Sequence, residues 1–496
     1  YLTSYKIRSL HVFWHNDTTI IIRDETPERK GMGAKQRIYT AGVLYYTVLK
    51  IRTDFQKGRQ EDVMERNDPR YQAYVEILKE ELIPAMGCTE PIALAYAAAK
   101  AREVLGVLPD SVQLQVSGSI IKNVKSVIVP NTGHLKGMEA AVAAGIIAGS
   151  AEKELEVISE VSEEKKSAIR DYLQTVPITI EHTEQGHVFD IVVTERCGQD
   201  YARVRIADYH TNICRIEKNG TVLYEVPLLD ETVQEDARAD RSLLNMQDIW
   251  DFAETADLRD VADLLERQIR YNNAIAEEGL LGDYGANIGR VLLTTYGNDV
   301  SNRAKAKAAA GSDARMNGCE LPVIINSGSG NQGITCSVPL IEYAKELHSG
   351  KEKLYRALII SNLVAIHEKT GIGRLSAYCG AVSAGCAAGC GIAYLHGEGY
   401  EAISHTLVNS LAIVSGIICD GAKASCAAKI ASSVEAGLLG YAMYKSGNEF
   451  KSGDGIVNNG VEATIRNVSQ LGREGMKETD KEIIRIMLAP QPEEKE

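Results

Sequence analysis

The chain has 496 residues, of which 45% are hydrophobic and 24% are charged, and its formal net charge is −13. This length exceeds one ordinary hydrophobic core and predicts two domains or slightly more, while the composition excludes a disordered or fibrous chain. The acidic balance argues against binding to nucleic acid or to an anionic membrane surface, because both carry negative charge.

The sequence has no apolar run of the roughly 20 residues that a membrane-spanning helix needs, and its start does not resemble a secretory signal. We therefore expect a cytoplasmic protein. Disulfides are improbable there, so most of the ten cysteines are interpreted as small buried hydrophobic residues. Five of the ten lie between residues 379 and 426, however, which raises the expectation of a metal or cluster site.

The first 63 residues differ from the rest, because they mix aromatic and basic residues without a sustained period. Met64 opens a new segment, and a clean amphipathic helix follows it. We hypothesise that translation starts at Met64 and that residues 1–63 are not native. A genuine but poorly packed extension is the alternative.

Helical patterns occupy much of the segment 64–265. Helical spacing begins at Tyr71 and is interrupted near Pro84, and an alanine-rich helix follows from Ile92. Further helices are expected over 138–148, 152–166 and 246–271.

The same segment also contains strand patterns. Apolar and polar residues alternate over 112–116, and Gly118 predicts a turn that leads to a second strand over 127–129. Beyond residue 177 the period becomes two, with turn glycines between the runs. Short strands are expected over 178–180, 188–192, 202–206 and 222–224. Residues 64–265 are therefore predicted to form an α+β domain with an antiparallel sheet.

The segment 266–480 is dominated by helical patterns rich in Ala, Gly, Ser and Cys, with one short strand near 321–326. Small side chains let helices approach closely, so an all-helical domain is expected. The predicted fold class is α+β, with a small antiparallel-sheet α/β domain and a larger all-helical domain that binds the cofactor. Residues 481–496 are expected to form a flexible tail.

Three cysteines lie in unusual strings. Cys88 and Cys419 are expected at helix starts, with Asp420 as the N-cap after Cys419, and a helix N-terminus favours the thiolate that binds iron. Cys379 is expected inside a small-residue helix. No C-x-x-C pair occurs, so the ligands of a metal site have to come from separate segments. The strings are Gly87-Cys88-Thr89-Glu90-Pro91, Ser376-Ala377-Tyr378-Cys379-Gly380 and Cys419-Asp420-Gly421-Ala422-Lys423.

These three strings resemble those of the L-cysteine desulfidase family, which is related to the iron–sulfur L-serine dehydratases. The resemblance extends from about Met64 to Met476. By motif, the family's three cluster ligands correspond to Cys88, Cys379 and Cys419. The resemblance thus implies a 4Fe–4S cluster that is held by three thiolates and keeps one iron open.

The resemblance also implies an activity. An open iron acts as a Lewis acid toward a small amino acid, a base removes the α-proton, and L-cysteine yields sulfide, pyruvate and ammonia. L-Serine dehydration at the same site is the alternative within enzymes. A non-catalytic zinc- or redox-sensing protein is the alternative from another class, although the missing C-x-x-C pair counts against zinc. We expect an amino-acid substrate and a homo-oligomer.

A glycine-rich loop at residues 326–333 is a candidate substrate site. Glycines with Ser and Asn let backbone N–H groups converge on an anion, so Ser327, Ser329, Asn331 and Gln332 are predicted to bind the substrate carboxylate. A plain turn before a helix is the alternative. Similar loops occur in pyridoxal-phosphate β-eliminating enzymes, but the alanine-rich helical context does not suit their fold.

Two further loops supply candidates. Ser117, Ser119 and Asn131 close predicted strand ends, where ligand contacts often gather, and they are predicted to bind substrate as well. Plain turn chemistry is the alternative for all three.

His367 is the predicted general base. An unperturbed histidine titrates near about pH 6.5, which suits abstraction of an α-proton. A solvent-facing polar residue at a helix end is the alternative. Lys122, His134 and Lys423 are its rivals.

Overall fold

The structure, a computed structural model, describes residues 64–183, 187–228, 239–373 and 375–489, together with the backbone of four strands within residues 1–63. The chain divides into two compact units, Tyr1–Val63 and Met64–Glu496. The hypothesis that translation starts at Met64 stays a prediction. The four strands of the first unit pair as an antiparallel sheet in chain order. They are β1 Ser4–Ile7, β2 Leu10–His15, β3 Thr19–Asp24 and β4 Arg37–Tyr39.

The second unit begins with a mixed region of helices and strands. Its helices are α1 Pro69–Glu81, α2 Thr89–Leu105, α3 Gly118–Val124, α4 Gly137–Ala148 and α5 Glu163–Thr175. Its strands are β5 Pro84–Met86, β6 Ser111–Ser117, β7 Ile178–Thr183, β8 Asp190–Cys197, β9 Asp200–Ala207, β10 Ile213–Lys218 and β11 Thr221–Glu225.

Six of these strands form one sheet in the order β11-β10-β9-β8-β6-β7. All pairs are antiparallel except β6 and β7, which run parallel with Val112 opposite Ile178. The residues of strand β6 alternate between buried and half-buried positions, with the apolar residues facing the core, as the period of two predicts. Helix α2 covers β8 and β9, and helix α4 packs on α2.

Helices make up nearly all of the remaining chain. They are α6 Met246–Thr255, α7 Ala262–Leu281, α8 Ile288–Tyr296, α9 Val300–Met316, α10 Gly330–Glu346, α11 Lys351–Ile372, α12 Gly380–Leu395, α13 Tyr400–Val414, α14 Cys426–Lys445, α15 Val461–Gln470 and α16 Lys477–Leu488. Strand β12, Pro322–Ile324, pairs antiparallel with β5 and so joins the two regions. The predicted α+β fold class is confirmed.

Small residues bring the central helices together, as expected. Where α12 crosses α14, a Cβ atom on Gly437 would lie 2.4 Å from the backbone oxygen of Gly385. Any side chain there would separate the two backbones. One hydrophobic core extends from Val112 in the sheet to Ile392 in α12. The division into domains at residues 265 and 266 stays a prediction.

Three local predictions are wrong. No strand occupies 127–129 in the described chain, and helix α3 follows β6 directly because Ile120, Ile121 and Val124 recur at helical spacing and are buried. The predicted helix over 152–166 begins instead at Glu163, where the side chain of Ser162 caps the first turn.

The third incorrect prediction is the single helix over 246–271. It is divided into α6 and α7, because the Asp257 side chain accepts a hydrogen bond from the Arg259 N–H and starts a short 3-10 turn between them. At the other end of the chain, residues 481–488 lie within α16, and residues 490–496 of the predicted tail lie outside the described residues. No helix among the residues described has the length and apolar character needed to cross a membrane.

Candidate functional site

A cavity of about 100 Å³ lies where the first turns of α2, α10 and α12 meet α3 and the segment before α14. Its walls combine thiols with charged and amide groups. The thiols are those of Cys88, Cys379, Cys419 and Cys426. The charged side chains are those of Glu90, Lys122, Arg315 and Lys369. Ser329, Asn331 and Gln332 of the glycine-rich loop complete one wall.

Two helix starts and one backbone bridge position the three predicted ligands. Cys88 is the N-cap of α2, and Cys379 is the N-cap of α12. The N–H of Cys379 donates to the Ile417 oxygen at 3.1 Å, and the N–H of Cys419 donates to the Ala377 oxygen at 2.6 Å. This antiparallel bridge places Cys379 and Cys419, which are 40 residues apart in sequence, on the same side of the cavity.

The glycines of the motifs allow close backbone contact around these thiols. Gly421 has φ +95°, and a Cβ atom there would lie 2.1 Å from the Lys122 oxygen, so the segment after Cys419 rests on α3. The Thr89 hydroxyl donates to the Gly328 oxygen at 3.0 Å. The string around Cys88 is thereby attached to the glycine-rich loop.

Two predictions about these helix starts are wrong. The helix after Cys419 begins at Cys426, and Asp420 does not cap it. The Asp420 carboxylate instead forms ion pairs with Lys423 and Lys429, which hold it away from the helix end. Cys379 caps α12 and is not inside it.

The expected lowering of the thiol pKa is also wrong for Cys88. Burial raises the pKa of Cys88 well above its usual value, and burial together with the neighbouring Cys419 raises the pKa of Cys379 to about 12. The cost of desolvating a thiolate therefore exceeds the effect of the helix N-terminus. A metal has to displace these protons, because the thiolate is the ligand form.

All ten cysteines are free of disulfides. Within the part of the chain that the structure describes, no three Cys, His, Asp or Glu side chains are close enough to hold a single metal ion. The three predicted ligands thus share one cavity without converging on one point.

Cys426 is a fourth thiol of the cavity, and sequence reasoning did not select it. Its thiol donates to the Gly421 oxygen at 3.7 Å, and its side chain packs against Cys88 and Met316. Its position seven residues after Cys419, in the same conspicuous segment, was the available signal.

The glycine-rich loop reaches the cavity with three of its four predicted residues. Ser329 is the N-cap of α10, and Asn331 and Gln332 follow in its first turn. Ser327 does not line the cavity, because its φ of +49° turns the chain and its hydroxyl donates to Asn326 Oδ1 at 2.9 Å.

The other predicted substrate residues do not line the cavity. The Ser117 hydroxyl donates to the Val188 oxygen at 2.8 Å, and Asn131 Nδ2 donates to the Ile158 oxygen at 2.8 Å. Ser119 is buried in α3. The contacts of Ser117 and Asn131 hold backbone segments together. Lys122, which lies in α3 with Ser119, does reach the cavity and pairs with Asp480.

His367 points away from the cavity, and its Nε2 lies 3.0 Å from Glu462 Oε2. Lys369 lies two residues further along α11 and does line the cavity. Two positions on a helix differ by about 200° around the axis, so these side chains take opposite faces. Of the rivals, His134 and Lys423 also lie outside the cavity wall.

Arg315 is a cavity residue that sequence reasoning missed. It is the second-last residue of α9, and its side chain is among the largest that are fully buried. Its Nη1 donates to Asn331 Oδ1 at 3.1 Å, whereas Nε and Nη2 have no hydrogen-bond partner among the described residues. No motif marks this arginine, because it stands in an ordinary alanine-rich helix.

Glu90 is the second missed residue, although it belongs to the string around Cys88. Its Oε2 accepts a hydrogen bond from the Cys88 thiol at 3.1 Å and lies 3.1 Å from the Thr89 hydroxyl oxygen. Its Oε1 lies 3.9 Å from Nε2 of the buried His210. The carboxylate therefore contacts a predicted ligand directly.

Comparison with known proteins identifies the family of the chain. Residues 152–485 match the family model of the serine dehydratase alpha chain, a segment that includes Cys379 and Cys419. This match supports a serine dehydratase-like lyase as the class. The chain belongs to the serine dehydratase alpha-chain family.

Several relatives carry the name UPF0597 protein. The one from Desulfitobacterium hafniense (strain Y51) is 62% identical over 425 residues, which are 86% of this chain and 98% of the relative. The one from Lachnoclostridium phytofermentans is 53% identical over 418 residues, covering 84% and 100% of the two chains. The one from Treponema denticola is 46% identical over 430 residues, covering 86% and 100%.

Proposed function

We propose that the protein is an iron–sulfur L-cysteine desulfidase, which eliminates sulfide from L-cysteine and yields pyruvate and ammonia. One observation carries this proposal. Cys88, Cys379 and Cys419 come from three distant segments and line one cavity, which also contains amide and cationic groups suited to an amino acid.

The donor set fits a 4Fe–4S cluster. Such clusters are bound by cysteine thiolates, and the three thiols are free. Each thiolate of a cubane binds a different iron, so its ligands need not converge on one point, whereas a zinc site requires a close tetrahedral set. The described residues contain no such close set of three metal-ligating side chains.

When bound by Cys88, Cys379 and Cys419, such a cluster supplies an open iron that acts as a Lewis acid toward a carboxylate, thiol or hydroxyl. The chain itself supplies orientation and proton transfer. Ser329 and the first N–H groups of α10 face the cavity and orient the substrate carboxylate. The small volume of the cavity limits the amount of water beside the reacting atoms.

Lys369 is the proposed general base in place of His367. Lys369 lines the cavity, and a lysine amine in its neutral form can accept a proton. Lys369 Nζ accepts the α-proton, HS⁻ departs from Cβ, and the resulting aminoacrylate hydrolyses to pyruvate and ammonia.

L-Serine dehydration is the second candidate, and the match to the serine dehydratase alpha chain favours it. The same residues serve both reactions, because the substrates differ by one atom. Binding in an apolar pocket separates such pairs by about 10–200-fold. Thiolate leaves more easily than hydroxide, and iron in these clusters accepts thiolate readily, so both effects favour L-cysteine.

The substrate is tested by measuring pyruvate formation from L-cysteine and from L-serine in anaerobic, cluster-loaded protein. We expect kcat/KM for L-cysteine to be at least about 10-fold higher. The C379A variant, tested on both substrates, controls for contaminating activity. A higher kcat/KM for L-serine would replace the name with serine dehydratase, and no pyruvate from either substrate would remove the proposed lyase activity.

A further inference from the structure

The guanidinium of Arg315 is a buried positive charge in the cavity wall. The side chain is 2% exposed, and no carboxylate among the residues described forms an ion pair with it. Its one hydrogen bond goes to the neutral Asn331 side chain, and its Nε and Nη2 remain without a partner. A buried charge in this state is costly unless an anion accompanies it.

Arg315 lines the cavity, and the first turn of α10 packs closely against its guanidinium. A Cβ atom on Gly330, the first residue of α10, would lie 2.3 Å from Arg315 Nε. A glycine at this position therefore allows the first turn of α10 to approach the guanidinium closely. At the same point Ser329 caps α10, so backbone N–H groups and the guanidinium face one volume.

We propose that Arg315 binds the α-carboxylate of the substrate, together with the N–H groups of the first turn of α10. The inference rests on the proposed function for its substrate class, an L-α-amino acid with a small β-substituent. The two free nitrogens, Nε and Nη2, lie on one edge of the planar guanidinium and match the two oxygens of a carboxylate. The other cavity cations suit this role less, since Lys122 is paired with Asp480 and Lys369 serves as the base.

A competing role is that Arg315 only offsets the charge of the thiolates. Burial raises the pKa of Cys88, and the Arg315 charge opposes that rise. If Arg315 had only that role, its replacement would change iron retention but would not change the affinity for a carboxylate. The two roles are therefore separable by measuring iron content and ligand affinity in the same variants.

The experiment uses L-2-aminobutyrate, which has the shape of L-cysteine but no leaving group, and its neutral carboxamide. Isothermal titration calorimetry on anaerobic, cluster-loaded protein measures both affinities. We expect wild-type protein to prefer the acid, and R315Q to weaken acid binding by about 10–100-fold with little effect on the amide. R303Q is the matched control, because Arg303 lies on the same helix and pairs with Glu342 and Glu346.

R315K provides a second variant that keeps the charge but loses the planar pair of donors. Normal iron content with weakened acid binding in R315K supports the proposal, even where R315Q folds poorly. Wild-type acid affinity in R315Q, or full restoration of iron and affinity in R315K, would overturn it. Failure of the proposed function appears separately, as the absence of pyruvate formation in wild-type protein that still prefers the acid.

Discussion

Replacing Cys88, Cys379 or Cys419 with alanine is expected to abolish iron retention and to lower lyase activity by at least about 1000-fold. A catalytic metal lowers the activation barrier by several kcal/mol, and each 1.36 kcal/mol corresponds to a factor of ten in rate. The three thiols come from three distant segments, and Cys426, seven residues after Cys419, is the one further thiol among the described residues that lines the cavity. Iron and acid-labile sulfide per chain, measured beside pyruvate formation after anaerobic reconstitution, give the result.

The controls for this prediction are cysteines outside the cavity. C197A on β8 and C214A on β10 are expected to retain the iron content of wild-type protein. C426A tests the fourth cavity thiol and is also expected to retain iron, because the three-ligand set remains complete. Equal iron in all six variants would refute the ligand assignment, and loss of iron in C426A alone would transfer a ligand role to Cys426.

Replacing Lys369 with methionine is expected to lower kcat by about 10²–10⁴-fold, the usual range for loss of a general base, without changing iron content. Methionine keeps most of the side-chain volume in this buried position and removes the proton acceptor. The measurement is steady-state kcat for L-cysteine, together with exchange of the α-proton for deuterium in heavy water. Both are expected to fall.

The matched control for Lys369 is H367Q on the same helix. His367 faces Glu462 outside the cavity, so this variant is expected to keep kcat within a factor of about two, as expected of a change that does not touch the reacting groups. Loss of α-proton exchange in H367Q, with normal exchange in K369M, would restore His367 as the base and contradict the geometry.

Local sequence patterns predicted most of the helices and strands whose hydrophobic periodicity lies within their own residues. The alternation over 112–116 appears as β6, and the alanine-rich run from Ile92 lies within α2. The predictions of helix starts were wrong where a capping side chain or an ion pair, and not the hydrophobic periodicity, determines the first residue of the helix. Because Ser162 is the N-cap of α5, that helix begins later in the chain than predicted. Asp420 forms ion pairs with lysines, and Ser425 is the N-cap of α14 instead. Such competition depends on neighbours that periodicity alone does not include.

The candidate site could be predicted only where motifs mark it. The cysteine strings carry a resemblance to a family, so Cys88, Cys379 and Cys419 could be selected in advance. Arg315 has no such mark, because its importance arises from the first turn of α10 resting on the end of α9. The proposal of Lys369 instead of His367 as the general base has a similar cause. The sequence predicts a helix here, but it does not predict which face of that helix meets the cavity.

The central claim is that Cys88, Cys379 and Cys419 hold a cluster whose open iron meets the substrate. The most direct test is the visible absorption spectrum of anaerobically purified protein, recorded before and after addition of L-cysteine. The account predicts a brown protein with a broad violet-to-blue band that changes on addition of L-cysteine and disappears in C379A. A colourless wild-type protein that contains stoichiometric zinc, or one that still forms pyruvate after complete removal of iron, would contradict it.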